Sequence, residues 1–531
     1  MTLEELVLSQ LIKEMSKNIL ERKMGKYLIG MDAGTTGCKV CVFDLNGNLI
    51  GSNYREYPCY YPNPGWVEQI PEDMFPALCE TCRVAIEKSG VDPKDILGVG
   101  LSSQGSVIGL LDKDEKLIRP FVGWQDLRGS KNELDWYTSQ ISKEEHYKIT
   151  GDPLGFVFSV LKMIWLKNNE PENWEKTELF STHQDYFLRR LGADGYYTDF
   201  SSASREGMMD INQNVWSERI HKVVGIPLEK RAKIISEPGK VVGKIGPEVA
   251  KLTGLAEGTP ICMGAHDQNC NTFGCGGVDD GTAIMVMGTF GSCFVISDKN
   301  IRDPKGKLVV KGNHGVGNYT IEAFSNTSAS SYRWYRDTFC DLEKYAGATN
   351  GVDMDPYDII NGQIAKVPIG ANGVTFLPYL QGAAGEKIND RARGTFIGMN
   401  LGTQKADIAR SVMEGISFEM LDIIDAERAA GIDLKNIRLT GGAAKSPLWA
   451  QMLSDMTQLP IQILEASESG CLGAAMYAGV GVGAYNDVHD AAKKAVRIKE
   501  EYQPNNKNAD AYSEAHQRFI NVYDALNNRV F

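Results

Sequence analysis

An α/β protein of two related halves with a cleft between them is the architecture this sequence predicts. Three observations carry it. At 531 residues the chain is too long for one compact core. Ile29–Asp44, IGMDAGTTGCKVCVFD, reads as two apolar strands joined by a turn of Gly and Thr, and Ile284–Ser297, IMVMGTFGSCFVIS, has the same shape. Gly34-Thr35-Thr36-Gly37 maps onto Gly288-Thr289-Phe290-Gly291 at a spacing of 254 residues, close to half the chain. Asp32 falls opposite Val286, so the carboxylate occurs only once.

The elements follow in order. Residues 1–23 carry an amphipathic pattern, Leu3, Val7, Leu11, Ile12, Met15 and Ile19, and are read as an extension ahead of the fold, with Met24 placed like an initiator. A docking helix is the rival reading. The first half, 24–276, opens with the hairpin and turns again at Asn46-Gly47, a strong tight-turn signal between apolar runs. A helix is expected from about Glu72 to Ser89, then the strand ILGVGLSS, a loop Ser103-Gln104-Gly105 and a hairpin through LDKDEKL; helices dominate from 130 to 250. The second half, 277–531, repeats the logic. It has its hairpin, a helix-rich middle, the strand IRLTGG at 437–442, a helix, and a final strand and helix.

Composition excludes several classes. The 43% hydrophobic and 23% charged content is ordinary for a globular protein. A net charge of −12, from 56 basic and 68 acidic residues, argues against nucleic acid, which needs a basic face. A nucleotide remains open, since backbone amides and one magnesium ion can hold a few phosphates. The longest uncharged apolar stretch, Thr282–Ile296, is short of the ~20 residues a membrane helix needs. Met1–Met24 is charged throughout and is no signal peptide, so a cytoplasmic enzyme is the expectation. Eleven cysteines, an odd number, fit reduced thiols. Cys38 and Cys41 lie three apart in a strand and point to opposite faces. Cys79 and Cys82 share a helix face and are read as small buried thiols rather than zinc ligands.

Each motif has a chemistry. Gly lets a hairpin turn approach a ligand, and exposed N–H groups with Thr hydroxyls make a concave donor set for phosphate oxygens. Asp32, just before the turn, is placed to hold a hydrated magnesium ion. Gly-Ala-His-Asp-Gln, 264–268, follows the strand-like TPICMG. There Asp267 can accept a proton from an attacking hydroxyl, or merely cap a helix. In LTGGAAKSPLWAQMLSDM, 439–456, the pair Gly441-Gly442 lets a flat ring or a phosphate lie against the backbone, while Ser446 and Pro447 start a helix.

These residues resemble the FGGY carbohydrate kinase family, within the actin/Hsp70/hexokinase ATPase fold, from Met24 to the C-terminus, and its xylulokinase-like members in particular. The most specific match is GTFIGMNLGTQKADIARSVME, 394–414, with FLPYLQGAAGEKINDRARG, 376–394, ahead of it. The resemblance implies two related ribonuclease H-like domains, an N-terminal one for sugar and phosphate (24–276) and a C-terminal one for adenosine (277–531). It implies that Thr35, Thr36, Gly288 and Thr289 hold ATP phosphates and that Gly441, Gly442, Ala443 and Ala444 form the adenosine loop. Asp267 becomes the catalytic base and Asp32 the magnesium ligand. GWQDLRG, 123–129, resembles a substrate-side segment and offers Trp124, Asp126 and Arg128, the last two equally readable as a structural salt bridge; Gln104 and Gln268 are candidate hydroxyl binders. Ala443 stands where many members have Gly, Gln268 where many have Asn, and SSQGSV replaces the Met-His-Gly of xylulokinases.

The expected activity is ATP- and Mg²⁺-dependent phosphorylation of a hydroxyl of a small sugar or polyol, by a protein that binds neither nucleic acid nor membrane. A homodimer is the common outcome for such enzymes. Two rival readings are an actin- or Hsp70-like ATP-driven binding protein and a silent sugar sensor. The acidic balance and the lack of an evident Arg cluster lean towards a neutral acceptor.

Overall fold

The computed structural model describes residues 27–313, 315, 319–349, 355–384, 387–465 and 468–531. The extension read over residues 1–23 lies outside them. Contacts divide the chain into two compact units: residues up to Ile141, Gly155–Gly276 and Glu468–Val496 form the first, and Ser142–Leu154, Gly277–Ser467 and Arg497–Phe531 the second.

The first unit is built on a six-stranded sheet. Its strands are β1 (Tyr27–Ala33), β2 (Gly37–Asp44), β3 (Leu49–Glu56), β4 (Ile96–Ser103), β5 (Val241–Lys244) and β6 (Pro260–His266), in the order β5-β6-β4-β1-β2-β3. β1, β2 and β3 form an antiparallel meander, β1, β4 and β6 run parallel, and β5 closes the edge antiparallel. The central strands are apolar on both faces because helices cover both, and β1 buries Leu28, Ile29, Met31 and Ala33. Helix α1 (Pro71–Ser89) starts with Pro71, carries Glu72 and Asp73 in its first turn and Lys88 in its last, and stops at Gly90 in the left-handed region. Cys79 and Cys82 lie buried on α1, and burial pushes the Cys79 thiol up to about 12. Further helices include α2 (Ser159–Asn169), α3 (His183–Leu191) and α4 (Asp267–Gly274), the last following β6 directly.

The second unit repeats the plan. Its strands β7 (Thr282–Met287), β8 (Gly291–Ser297), β9 (Val309–Gly312), β10 (Tyr319–Ser325), β11 (Asn436–Gly441), β12 (Ile461–Leu464) and β13 (Ile498–Tyr502) are ordered β9-β10-β8-β7-β11-β12-β13. The meander β7-β8-β10, the parallel set β7, β11 and β12 and the antiparallel edge β13 match the first sheet strand for strand, with β9 added outside. The repeat seen in two hairpins thus extends to six strands, the ribonuclease H-like arrangement. A buried helix, α5 (Lys405–Ala429), begins within the signature at 394–414, and α6 (Pro447–Thr457) is capped by Ser446, whose hydroxyl accepts from the Trp449 N–H.

The unit boundaries differ from a single division at 276/277. Helix α7 (Ser469–Gly481), SGCLGAAMYAGVG, packs on the first unit's sheet because both partners are small. A Cβ on Gly30 of β1 would sit 1.8 Å from the Cys471 carbonyl oxygen, and one on Gly100 of β4 2.0 Å from that of Ala474. In the other direction, Ser142–Leu154 is held to the second unit by a buried ion pair of Asp152 with Lys311 and by Tyr147 donating to the Leu308 carbonyl at 3.0 Å. No helix among the described residues is long and apolar enough to cross a membrane.

The helix–sheet contact makes a sharp stability prediction. Gly100→Ala places a methyl against backbone and should cost ~1–3 kcal/mol, lowering the melting temperature. Gly362→Ala, in helix Pro356–Ile364 where a Cβ meets nothing within 4 Å, should stabilise by up to ~1 kcal/mol. Equal melting temperatures for the two variants would contradict this packing.

Candidate active site

In the first unit the C-terminal ends of three parallel strands form one row. Register pairs Asp32 of β1 with Ser102 of β4, and Ser103 of β4 with His266 of β6. Strand ends of this kind are where open α/β sheets place ligand-binding groups. The Ser102 hydroxyl donates to Asp32 Oδ1 at 2.7 Å, and Oδ2 has no hydrogen bond among the described residues. Burial raises the Asp32 pKa above its ordinary value; the Ser102 bond and Lys39 oppose the rise and Glu468 adds to it. Lys39 is tied to Glu468 at 2.6 Å. Magnesium takes one or two carboxylates plus water and phosphate oxygens, and its charge reverses the burial penalty on such a carboxylate. Asp32 fits that role.

The turn after Asp32 is closed by the Gly34 N–H donating to the Gly37 carbonyl at 3.0 Å. Thr36 is exposed at its tip. Thr35 is not: its hydroxyl accepts from the Trp124 indole N–H at 2.9 Å and donates to Gln104 Oε1 at 2.9 Å. Gln104 is buried, and its amide nitrogen faces the Gly34 carbonyl, Gln69 Oε1 and His183 Nδ1 at 3.2, 2.8 and 3.0 Å. Burial lowers the His183 pKa to about 3, so the ring is neutral. Gln69 in turn donates to the Thr35 carbonyl at 2.7 Å. Gln104, expected to bind an acceptor hydroxyl, therefore spends its amide on the turn. Its partners are 35 to 79 residues away in sequence, which hid this role.

Asp267 opens α4. The cap of that helix is His266, whose Nδ1 accepts from the Gln268 N–H at 3.3 Å. The same N–H lies 2.6 Å from Asp267 Oδ1, and His266 Nε2 lies 3.1 Å from it. With Nδ1 accepting, Nε2 is the ring nitrogen left to carry the proton, and it faces Asp267 Oδ1. Behind it, the His266 N–H donates to Ser201 Oγ at 3.0 Å, and the Ser201 hydroxyl bonds to Asp199. One carboxylate oxygen of Asp267 is thus fixed from two sides. Gln268 is half-buried beside it.

In the second unit the turn Gly288–Phe290 is braced by Ser328 and Ser330. The Ser328 N–H and Ser330 hydroxyl donate to the Thr289 carbonyl at 3.2 and 2.6 Å, while Thr289 itself is exposed. Gly441 has φ +85°, and a Cβ there would lie 2.4 Å from the Met287 carbonyl oxygen; the Gly442 N–H donates to that oxygen at 2.8 Å. The glycine pair is exposed and presses the 441–444 loop against the phosphate-type turn. Ala443 is buried, so its methyl points into the fold and leaves the exposed face flat; Ala444 is half-buried.

The 123–129 segment divides. Trp124 reaches the turn, but Asp126 and Arg128 are buried in a structural network. Asp126 accepts from the Val67 N–H at 2.6 Å and from the Arg128 N–H and Nε, both at 2.9 Å. Arg128 also meets Glu68 at 2.8 Å and lies over the Trp66 ring at 4.1 Å. Of the two readings the sequence left for them, acceptor contact and structural salt bridge, the network they form is the salt bridge. A residue the sequence did not flag, Lys162 on α2, is fully buried beneath Trp124.

The repeated sheets and phosphate-type turns define an actin-like ATPase architecture. Residues 27–274 match the N-terminal domain of the FGGY family of carbohydrate kinases and residues 283–482 its C-terminal domain. The chain belongs to that family. The xylulose kinase of Bacillus subtilis (strain 168) is 30% identical over 502 residues, 94% of this chain and 97% of its own length. The gluconokinase of the same organism is 28% identical over 510 residues, 95% and 97%. The structure of ligand-bound xylulose kinase from Lactobacillus acidophilus superposes with a TM-score of 0.84 at 26% identity, covering 95% of this chain and 99% of that one. The protein is a sugar kinase, a phosphotransferase.

Breaking a buried pair strands its partner charge, typically at ~3–5 kcal/mol. Asp126→Asn should therefore lower thermal stability by an amount in that range, read by calorimetry. A variant as stable as the parent would return Asp126 to the acceptor.

Proposed function

We propose that the chain transfers the terminal phosphoryl group of ATP to a hydroxyl of a small neutral sugar or polyol, with Asp267 as general base. The observation that supports this is the row of strand ends, which brings Asp32 and, one residue past His266, Asp267 to the same edge of one sheet. Phosphoryl transfer leaves a protein little covalent work beyond positioning and charge stabilisation.

Each unit contributes by itself. In the first, the Gly34–Gly37 turn offers the Thr36 hydroxyl and the backbone N–H groups of Thr35 and Thr36 to phosphate oxygens, and Asp32 would hold magnesium through water. The ion supplies charge neutralisation at the phosphate oxygens. Asp267, with Oδ1 anchored by Gln268 and His266, takes the proton of the acceptor hydroxyl as it attacks phosphorus, and Trp124 and Gln268 border the acceptor. In the second unit Gly288 closes the turn through its N–H on the Phe290 carbonyl and leaves the exposed Thr289 to donate to phosphate, and the flat Gly441–Ala444 loop takes adenosine. A neutral acceptor follows from the charges near Trp124: Arg128 is spent on Asp126 and Glu68, and Lys162 on backbone carbonyls.

Asp267→Asn keeps size but cannot accept a proton. A general base contributes ~10²–10⁴-fold in rate, so kcat should fall by about that much with the KM for ATP nearly unchanged. Phosphorylation at near-parental speed would remove Asp267 from the mechanism. Thr289→Ala removes an exposed hydroxyl, and a charge-assisted bond contributes ~1.5–3 kcal/mol. It should cut kcat/KM for ATP by at least about tenfold at unchanged melting temperature; parental kinetics would make that turn purely structural.

A further inference from the structure

Lys162 is a charged side chain in a place where charge is costly. It is fully buried, and its ammonium donates to the carbonyls of Gly123 at 3.1 Å, Trp124 at 2.8 Å and Val157 at 2.9 Å. Three donors meet three acceptors, so the group is saturated. Burial lowers its pKa to about 7, with Asp126 opposing and Arg128 reinforcing the shift. A neutral residue of similar length would fill the space without the desolvation penalty.

The segment does not need Lys162 for its general course. Asp126 already pins it to the Val67 N–H and to Arg128, and the Gly123 N–H donates to the Val67 carbonyl at 2.9 Å. What Lys162 adds is a grip on the peptide groups on both sides of the Trp124 α-carbon. From there the indole N–H reaches Thr35 Oγ1, and Thr35 donates to Gln104, whose amide nitrogen turns back to the Gly34 carbonyl. The path from buried ammonium to phosphate-type turn is continuous.

We propose that Lys162 is a positioning residue for phosphoryl transfer: by fixing the backbone of Trp124 it holds the indole N–H on the Thr35 hydroxyl and so ties the acceptor side of the first unit to the turn that faces phosphate. This rests on the reading of Trp124 as an acceptor-side residue. The tie occupies one lone pair of the Thr35 hydroxyl, whose proton goes to Gln104 Oε1 and not to a phosphate oxygen. It also holds the indole ring at one height over the acceptor. Loss of the tie acts on acceptor binding more than on ATP binding, because Thr36 and the backbone N–H groups of the turn remain.

The test combines a spectroscopic and a kinetic readout on the full-length enzyme. Lys162→Met keeps the length and removes the three donors. With ¹⁵N-labelled tryptophan, and the Trp124 indole signal identified by its loss in Trp124→Phe, Lys162→Met should move that signal. It should also raise the KM of the acceptor roughly tenfold, the worth of one good hydrogen bond, at near-constant KM for ATP. In the Trp124→Phe background, Lys162→Met should add no further change in acceptor KM. Lys162→Gln, which keeps two donors, gives the same comparison where the Met variant does not fold. An unmoved indole signal, or effects that simply add in the double variant, would overturn the proposal. The indole signal does not depend on any acceptor being turned over, so a moved signal in an enzyme that phosphorylates no sugar would count against the proposed function and not against this tie.

Discussion

The pairing register of β1 with β4 is the constraint on which the rest of the first unit depends. It sets Asp32 beside Ser102, and through β6 it sets His266 beside Ser103. A slip of one residue would send every side chain of β1 to the opposite face, taking Asp32 away from the strand-end row and Met31 out of the core. The register is held from both faces. Helix α1 packs on one side, where the Cys38 thiol lies 3.5 Å from the Thr81 hydroxyl, and α7 on the other, at contact distance to Gly30 and Gly100. Tight packing on both faces leaves one register available, and that is what lets Asp32 and the β6–α4 junction carrying Asp267 be placed by strands rather than by loops.

The second unit uses the same sheet for a different end. Its strand-end carboxylate is missing, since Val286 stands where Asp32 would be. In exchange, the end of β11 turns through Gly441 at positive φ and lays an exposed, nearly flat loop against the Gly288 turn. One fold thus supplies an acid-bearing edge in one copy and a smooth, glycine-lined edge in the other.

Much of this was legible in the sequence because it is written in local patterns. The two hairpins, the strand before Asp267, helix α1 and the Ser446 cap depend on residues within a few positions of one another. The family resemblance at 394–414 was legible for the same reason. The unread part is tertiary. Gln104 looked like a free amide at a strand end, yet its partners are Thr35, Gln69 and His183, 69, 35 and 79 residues away. Lys162 sits in an ordinary helical run, and nothing in SVLKMIWL says that its ammonium is buried. Asp126 and Arg128 carried both readings until the Val67 N–H and Glu68 were found beside them. The crossing of α7 to the first unit was written in SGCLGAAMYAGVG as a run of small residues, but a small face does not name the sheet it will meet.

Acceptor-dependent turnover is the most direct test of phosphoryl transfer to a neutral hydroxyl. With ATP and magnesium, ADP release should be slow alone and rise strongly with one or more neutral sugars or polyols, with one phosphorylated acceptor formed per ADP. Aldonates should stimulate less than their neutral counterparts. ADP release that ignores every neutral acceptor, or that exceeds the phosphorylated product formed, would contradict it.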